Sequence, residues 1–303
     1  MPDAAPDALL AVSHAYCHAQ TRGHARSFYF ASVALPAEKK RAAYAVYAFC
    51  RYADDLVDRA AATDNGIAAA LARVGEEFDA MLAGGKTEPP FAPAFAWAVR
   101  RFGIEKGPFL DLLKGVAMDL GPAVRIANWP ALREYCYHVA SVVGLMMARI
   151  FELRDERGRE QAIDLGIAMQ LTNIIRDVGE DFRLGRIYLP ADEMAAHGVA
   201  PADLASEKIT PALRELLRFQ VARAREFYRR AEPGIALLAD DGSQLTVWLM
   251  RHVYAGILDE VERADYEVLR RRVRTSLPRK LALAARAWRD LQRGRRAGDV
   301  ARD

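Results

Sequence analysis

Two short segments carry carboxylates at a spacing that helix formation alone disfavours. Arg51-Tyr-Ala-Asp54-Asp55-Leu-Val-Asp58 and Arg176-Asp177-Val-Gly-Glu180-Asp181 each place aspartates at i and i+4. Such positions lie one above the other on a helix face. Like charges there cost a helix about 0.2–0.5 kcal/mol, and aspartate is a poor helix former besides. The neighbours are apolar (Tyr44, Val46, Phe49, Leu56, Val57; Ile174, Ile175, Val178), so neither segment is a plain solvated face. Salt bridges to Arg51, Arg59, Arg176 or Arg183 would account for one such segment. Two of the same design, each led by an arginine, point to a shared cation. Hard carboxylate oxygens suit Mg²⁺, which takes one or two carboxylates and completes its shell with water and phosphate oxygens. Two clusters facing each other in a helix bundle would hold a diphosphate through bridging ions.

The second segment carries more. Gln170, Asn173 and Asp177 stand at i, i+3 and i+7, so two amides share the aspartates' face and can hold metal-bound water or a phosphate oxygen without adding charge. Alone, such an amide pair reads as helix–helix hydrogen bonding; beside the aspartates it reads as part of a site. Tyr47, Arg51, Asp54 and Asp58 form a similar face upstream.

The elements that must position these residues are helical. Ala, Leu, Arg and Glu dominate, and alternating β-branched runs of strand length are missing. A helix is predicted from Ala37 to Ala62 behind Pro36, with the breaker-rich stretch 83–90 closing the next one. Further helices are predicted at 94–103, 107–120, 128–152, 157–182, 209–239, 244–271 and 278–293. Leu184-Gly-Arg-Ile-Tyr-Leu-Pro190 interrupts the pattern, and the basic tail from about 294 is expected to fray. No fixed repeat or polar linker divides the 303 residues, so one all-α domain over 1–303 is expected.

Composition narrows the function classes. With 52% hydrophobic and 27% charged residues the chain is not disordered, and a net charge of +3 gives no global reason to expect nucleic acid as a partner. Three scattered cysteines, Cys17, Cys50 and Cys136, suit a reducing cytoplasm better than a disulfide framework. The first residues lack the basic flank of a signal peptide, and no apolar run approaches the ~20 residues a spanning helix needs. A zinc site at His14, Cys17, His18 and His24 lacks a second ligand pair, and His138 reads as a packing histidine. The C-terminal arginines, with Leu277, Leu281, Leu283 and Trp288, read as a helix with a packing stripe and a solvated basic face, which anionic lipid headgroups would attract.

The motifs together resemble the squalene and phytoene synthase family of head-to-head prenyl transferases, from about Tyr16 to Trp288. His24-Ala-Arg-Ser27-Phe28-Tyr29, Tyr47 to Asp58, Tyr135-Cys-Tyr137-His-Val-Ala140, Gln170 to Asp181, Gly185-Arg186-Ile-Tyr188-Leu-Pro190 and Ile257-Leu-Asp-Glu260 to Tyr266 carry the resemblance. Terpene cyclases and chain-elongating prenyl transferases, which share a similar bundle, use different aspartate-rich patterns. The resemblance implies an isoprenoid-synthase-type bundle around a central cavity that takes two prenyl diphosphates. It puts metal ligands at Asp54, Asp58, Asn173, Asp177 and Asp181, with Tyr47 and Arg51 also catalytic. Substrate contacts are implied at Ser27, Arg51, Gln170, Asn173, Arg186, Tyr254 and Arg271.

The implied cofactor is Mg²⁺, with Mn²⁺ able to substitute, and NADPH is not expected. The texture is closest to bacterial phytoene synthases, so the expected reaction joins two geranylgeranyl diphosphates to phytoene through a cyclopropylcarbinyl diphosphate. A C30 enzyme using farnesyl diphosphate, giving dehydrosqualene, presqualene diphosphate or squalene, is the alternative. An apolar cavity lined by residues such as Phe28, Phe30, Val139, Leu145 and Met169 would exclude water from the cation. Ser141-Val142 departs from the family's usual Gly-Thr, which would narrow the tunnel or shift a helix contact. A lipophilic product implies a cytoplasmic enzyme, peripheral on the inner face of a membrane.

Overall fold

Proline and side-chain caps set several helix starts. Asn128 accepts a hydrogen bond from the amide of Ala131 through its side chain, ahead of a helix with proline in its first turn. Thr210 does the same for the amide of Leu213. The computed structural model describes residues 6–60, 66–83, 89–119 and 123–300. The first helices are α1 (Pro6–His24), α2 (Arg26–Ala31), α3 (Ala37–Ala60), α4 (Gly66–Leu82), α5 (Ala92–Phe102) and α6 (Lys106–Met118). After a short strand β1 (Val124–Arg125) come α7 (Trp129–Cys136), α8 (Val142–Ile150) and the long α9 (Gly158–Arg183). Strand β2 (Arg186–Ile187), α10 (Ala191–Ala196), α11 (Pro201–Ala205), α12 (Pro211–Ile235), α13 (Ser243–Arg263) and α14 (Leu277–Val300) complete the order.

Helix α9 is central. It lies along α12, where Thr172 meets Tyr228, Asp164 meets Arg230 and Gln161 meets Gly234, an antiparallel register. One apolar cluster gathers α3, α5, α6 and α8 around stacked Phe49 and Phe95; a second gathers α7, α9, α12 and α13. Leu165 of α9 packs against both.

Four differences from the sequence reading matter for the site. The helix predicted at 128–152 contains a π turn at Tyr137–Ser141, an insertion frequent at functional positions. A two-residue parallel pair aligns Val124 with Arg186 and Arg125 with Ile187, pinning the segment after α9 to the segment after α6. Two paired residues are too few to leave a periodicity in a sequence. The helix predicted at 244–271 ends at Arg263, because Asp265 and Tyr266 take positive φ values of 51° and 61°. No glycine or proline announces that turn. Finally, α14 continues to Val300 where fraying was expected.

The chain after that turn runs against α9 at Gly179. A Cβ on Gly179 would stand 2.1 Å from the Leu269 carbonyl oxygen, and its amide donates to the Val268 carbonyl at 3.3 Å. Only glycine permits this approach, which brings residues 268–272 beside the second aspartate segment. Gly179→Ala is therefore expected to destabilise the protein by about 1–3 kcal/mol through forced backbone movement. Denaturant unfolding checks this; stability equal to or above the parent's would contradict it, since alanine is otherwise the better helix former.

Candidate active site

The second aspartate segment occupies the last turns of α9. Asp177 is largely buried and held by two arginines. Arg176 Nε donates to its Oδ1 at 2.7 Å, and Arg272 donates from Nε at 2.9 Å and from the guanidinium end at 2.9 Å. Arg272 also lies 3.4 Å from Glu180. Of the three consecutive arginines, Arg272 thus reaches the segment, and Arg271 is exposed. The salt-bridged arrangement weighed for these segments is present at Asp177, and again where Arg51 pairs with Asp55 at 2.7 Å.

Asp181 has a different environment. Burial, and then the charges of Asp177 and Glu180, raise its carboxyl to about 7, with Arg186 opposing and Asp119 adding to the rise. Asp119, just past the end of α6, accepts hydrogen bonds from Tyr135 (2.9 Å) and Tyr188 (2.6 Å), whose rings stack. Burial, followed by Asp119, pushes both phenols above their ordinary range, so both remain protonated donors. Arg186 is placed here by the β1–β2 pair, and Arg125 donates to the Gly185 carbonyl at 2.6 Å beneath it.

Tyr47 of α3 is pushed up to about 12 by burial, with Arg51 opposing and Tyr254, Cys50 and Asp54 reinforcing. Tyr254 of α13 is likewise raised by burial and feels Arg176. Tyr47 is therefore within electrostatic range of Tyr254, as Tyr254 is of Arg176. Asp54 is exposed, the side chain of Asp58 lies outside the described residues, and Ser27 is half-buried on α2.

Beyond this rim opens an apolar cavity of about 240 Å³. Gln170, Asn173 and Tyr254 stand at its mouth, with Asn173 donating to Gln170 at 3.3 Å. Val139, Met169 and Leu165 line its course, and Phe151, Leu153, Gly158 and Leu238 line its far end. Phe28 and Leu145, expected in the lining, are buried in packing instead, and Phe30 is absent from the wall as described. Ser141 and Val142 do not line it either. Ser141 instead donates to the Ile163 carbonyl at 2.8 Å and abuts Gly166, so the departure at 141–142 sets the α8–α9 contact.

The donors at the rim are oxygens: carboxylates of Asp177, Asp181, Glu180 and Asp119, and amide oxygens of Gln170 and Asn173. Carboxylates crowded enough to hold a proton near neutrality lack positive charge, and hard oxygen donors fit Mg²⁺. Among the described residues no three His, Cys, Asp or Glu side chains close on one point, so an ion there needs oxygens from water or substrate. Of the histidines considered for zinc, His14 packs against Trp97 and His18 against Tyr29, and His24 is exposed. His138 bonds the Asp111 carbonyl at 3.1 Å. The sequence reading missed Asp119, and of the three consecutive arginines at 270–272 it named Arg271 where Arg272 reaches Asp177. Asp119 carries no local signal, and Arg272 is set apart from its neighbours only by the turn at 265–266.

Comparison with known proteins is consistent with this geometry. The family model of squalene/phytoene synthases matches residues 21–279. The chain is 40% identical over 273 residues to a phytoene synthase of Arthrospira platensis, covering 86% of this chain and 87% of that protein. It is 36% identical over 290 residues to a 15-cis-phytoene synthase of Synechococcus elongatus, covering 90% and 92%. Among solved structures, a ligand complex of a dehydrosqualene synthase superposes with a TM-score of 0.86 at 31% identity, covering 95% and 99% of the two chains. A squalene synthase of Alicyclobacillus acidocaldarius gives 0.76 at 28%, covering 85% and 95%.

Because Asp181 binds its proton more tightly folded than unfolded, its contribution to stability is complete below the ordinary carboxylate value of 3.8 and is lost as pH rises from there through about 7. His252, lowered to about 4 by burial and then by Arg251, acts oppositely, costing stability as pH falls below 6.5. The Asp181 effect is therefore read as the difference between parent and Asp181→Asn in chelator. The variant's advantage in Tm should grow from pH 5 to pH 7 and level off above that. A pH-independent difference would contradict the crowding of these carboxylates.

Proposed function

The chain belongs to the squalene/phytoene synthase family of prenyl transferases, and within it we propose that it condenses two geranylgeranyl diphosphates head to head to give phytoene. The observation that carries the choice of chain length is the similarity to phytoene synthases of cyanobacteria, and the run of α9 along the cavity agrees with it. From Asn173 at the mouth to Gly158 at the far end, α9 rises about 22 Å at ~1.5 Å per residue. An extended chain advances ~1.2 Å per bond, so a geranylgeranyl main chain needs about 18 Å and a farnesyl one about 13 Å. The C20 chain fits with little left over, and the C15 chain would leave the far end empty. The curated relatives named phytoene synthase support the same choice; the dehydrosqualene synthase superposition favours the C30 reading as the second possibility.

The rim residues then have separable tasks. Asp177 and Asp181, with Asp54 and Asp58 on α3, would hold Mg²⁺, or Mn²⁺ in its place, on the substrate diphosphates. Bound there, the metal would neutralise the leaving group's charge so that the allylic carbon–oxygen bond can break. Arg51, Arg186 and Arg272 add fixed positive charge for the departing diphosphate. Gln170 and Asn173 orient phosphate oxygens or water at the cavity mouth, and Tyr47 and Tyr254, both protonated, donate hydrogen bonds there. Ser27 and Arg271 are further candidate contacts to diphosphate.

The apolar wall below excludes water from an allylic cation and aligns the prenyl chains. Joining the two chains gives a cyclopropylcarbinyl diphosphate, whose second ionisation and rearrangement yield the 1-1′ linked product by proton loss, without reductant. No helix among the described residues is long and apolar enough to cross a membrane. A C40 hydrocarbon must nonetheless leave for an apolar phase, so we place the protein peripherally on the cytoplasmic face of a membrane.

Incubation with each diphosphate, with and without NADPH and Mg²⁺, followed by mass analysis, tests the assignment. Phytoene from the C20 substrate, dependent on Mg²⁺ and indifferent to NADPH, is expected. Squalene formed only with NADPH would overturn it. Replacing both Asp177 and Asp181 by Asn should lower turnover by about 10³-fold or more while leaving the chain folded, and undiminished turnover would sink the metal assignment. Ala162 lines the cavity about 16 Å from Asn173, between the two chain lengths. Ala162→Leu should therefore suppress C20 turnover and spare C15. Equal loss of both would contradict the role of cavity depth.

A further inference from the structure

The stripe read from sequence as packing is only partly packed. Leu283 of α14 is buried against Gly256 of α13, and Ala287 sits in a small cluster with Ala31 and Leu249. Leu277, Leu281 and Trp288 instead face solvent, with 64%, 57% and 56% of their surface exposed. Spaced by four and seven residues, they form one apolar line along the helix, beside the buried seam.

Cations flank this line on both sides. Arg289 and Arg296 lie on one flank, and among the described residues neither has an acidic partner. Lys280 lies on the other, close enough to Arg26 of α2 that burial and that charge lower its pKa. From Arg270 to Arg296 the sequence holds eleven arginines and lysines and a single acid, Asp290. That acid is turned inward, bonded to buried His252 at 2.8 Å and paired with Arg293 at 3.3 Å. The outer face is therefore apolar along its centre and cationic at its edges, on a protein whose net charge is only +3.

We propose that this face of α14 is the surface by which the protein docks on an anionic lipid bilayer, with Leu277, Leu281 and Trp288 entering the interface and the flanking cations meeting headgroups. The inference rests on the peripheral location proposed above and specifies how it is achieved. Charge complementarity selects the occupant. A second copy of the chain would set arginines against arginines, and a purely phosphate-rich polymer would leave the leucines and tryptophan without an apolar partner. A helix lying in the interface plane with an apolar face and basic flanks is the arrangement lipid surfaces bind, and tryptophan favours that depth.

The test is flotation of the full-length protein with vesicles of equal parts phosphatidylcholine and phosphatidylglycerol, and with phosphatidylcholine alone, at low salt. The parent should float with the anionic vesicles and lose at least about tenfold in bound fraction on the neutral ones. Leu281→Ser with Trp288→Ser, and separately Arg289→Glu with Arg296→Glu, should each lose a similar factor on anionic vesicles. Turnover of both double variants in detergent micelles should equal the parent's, which establishes that they are folded. Variants that float as the parent does would overturn this surface while leaving peripheral association standing. A parent that floats with neither vesicle would remove both. A parent that binds single-stranded RNA more tightly than vesicles, unaffected by the Leu281 and Trp288 changes, would show a nucleic-acid surface instead.

Discussion

The rim of the cavity holds more negative charge than its arginines neutralise, and much of the surrounding architecture follows from managing that excess. Asp177 is satisfied by Arg176 and Arg272, but Asp181, four residues further along α9, is half-buried beside Asp177, Glu180 and Asp119 with Arg186 in opposition. Carboxylates crowded at an apolar boundary are costly, and further positive charge brought by a ligand would relieve them. The supports are backbone devices. Gly179 lets the 268–272 segment approach and deliver Arg272, and the β1–β2 pair holds Arg186 over the last turn of α9.

Charge at one end and none at the other gives α9 its directional character. Asp181, Asp177, Asn173 and Gln170 follow one another down the helix, after which Met169, Leu165 and Ala162 line an apolar wall to Gly158. A diphosphate would thereby be held at the polar end and its hydrocarbon directed to the dry end. Low local polarity also strengthens each interaction at the rim, since fewer waters compete for the same groups. The π turn at Tyr137–Ser141 completes the wall by presenting Val139 and Ala140 to the cavity while Ser141 ties the backbone to α9.

How much of this was legible in the sequence depended on how locally each feature is encoded. The all-helical class and most helix positions followed from composition and proline placement, and the aspartates at 177 and 181 stood out because like charges at i and i+4 disfavour a helix. Asp119 was invisible because its role comes from three partners distant in sequence: Tyr135, Tyr188 and Asp181. The end of α13 was misplaced because Asp265 and Tyr266 enter left-handed conformations that their residue types do not advertise. Leu277, Leu281 and Trp288 looked like core because periodicity records a shared helix face without saying what covers it. The distinction between Arg271 and Arg272 likewise needed the turn that precedes them.

The central claim is that the acidic rim binds prenyl diphosphate only as a metal complex. Titration calorimetry of the protein with a non-ionising thiolo analogue of geranylgeranyl diphosphate, with Mg²⁺ and in chelator, measures it directly. Affinity should fall by about 10²-fold or more when the metal is removed, because the diphosphate then meets the crowded carboxylates around Asp181 without a bridging cation. Equal affinity in chelator would mean that the arginines alone hold the diphosphate, and the account of the rim would be wrong.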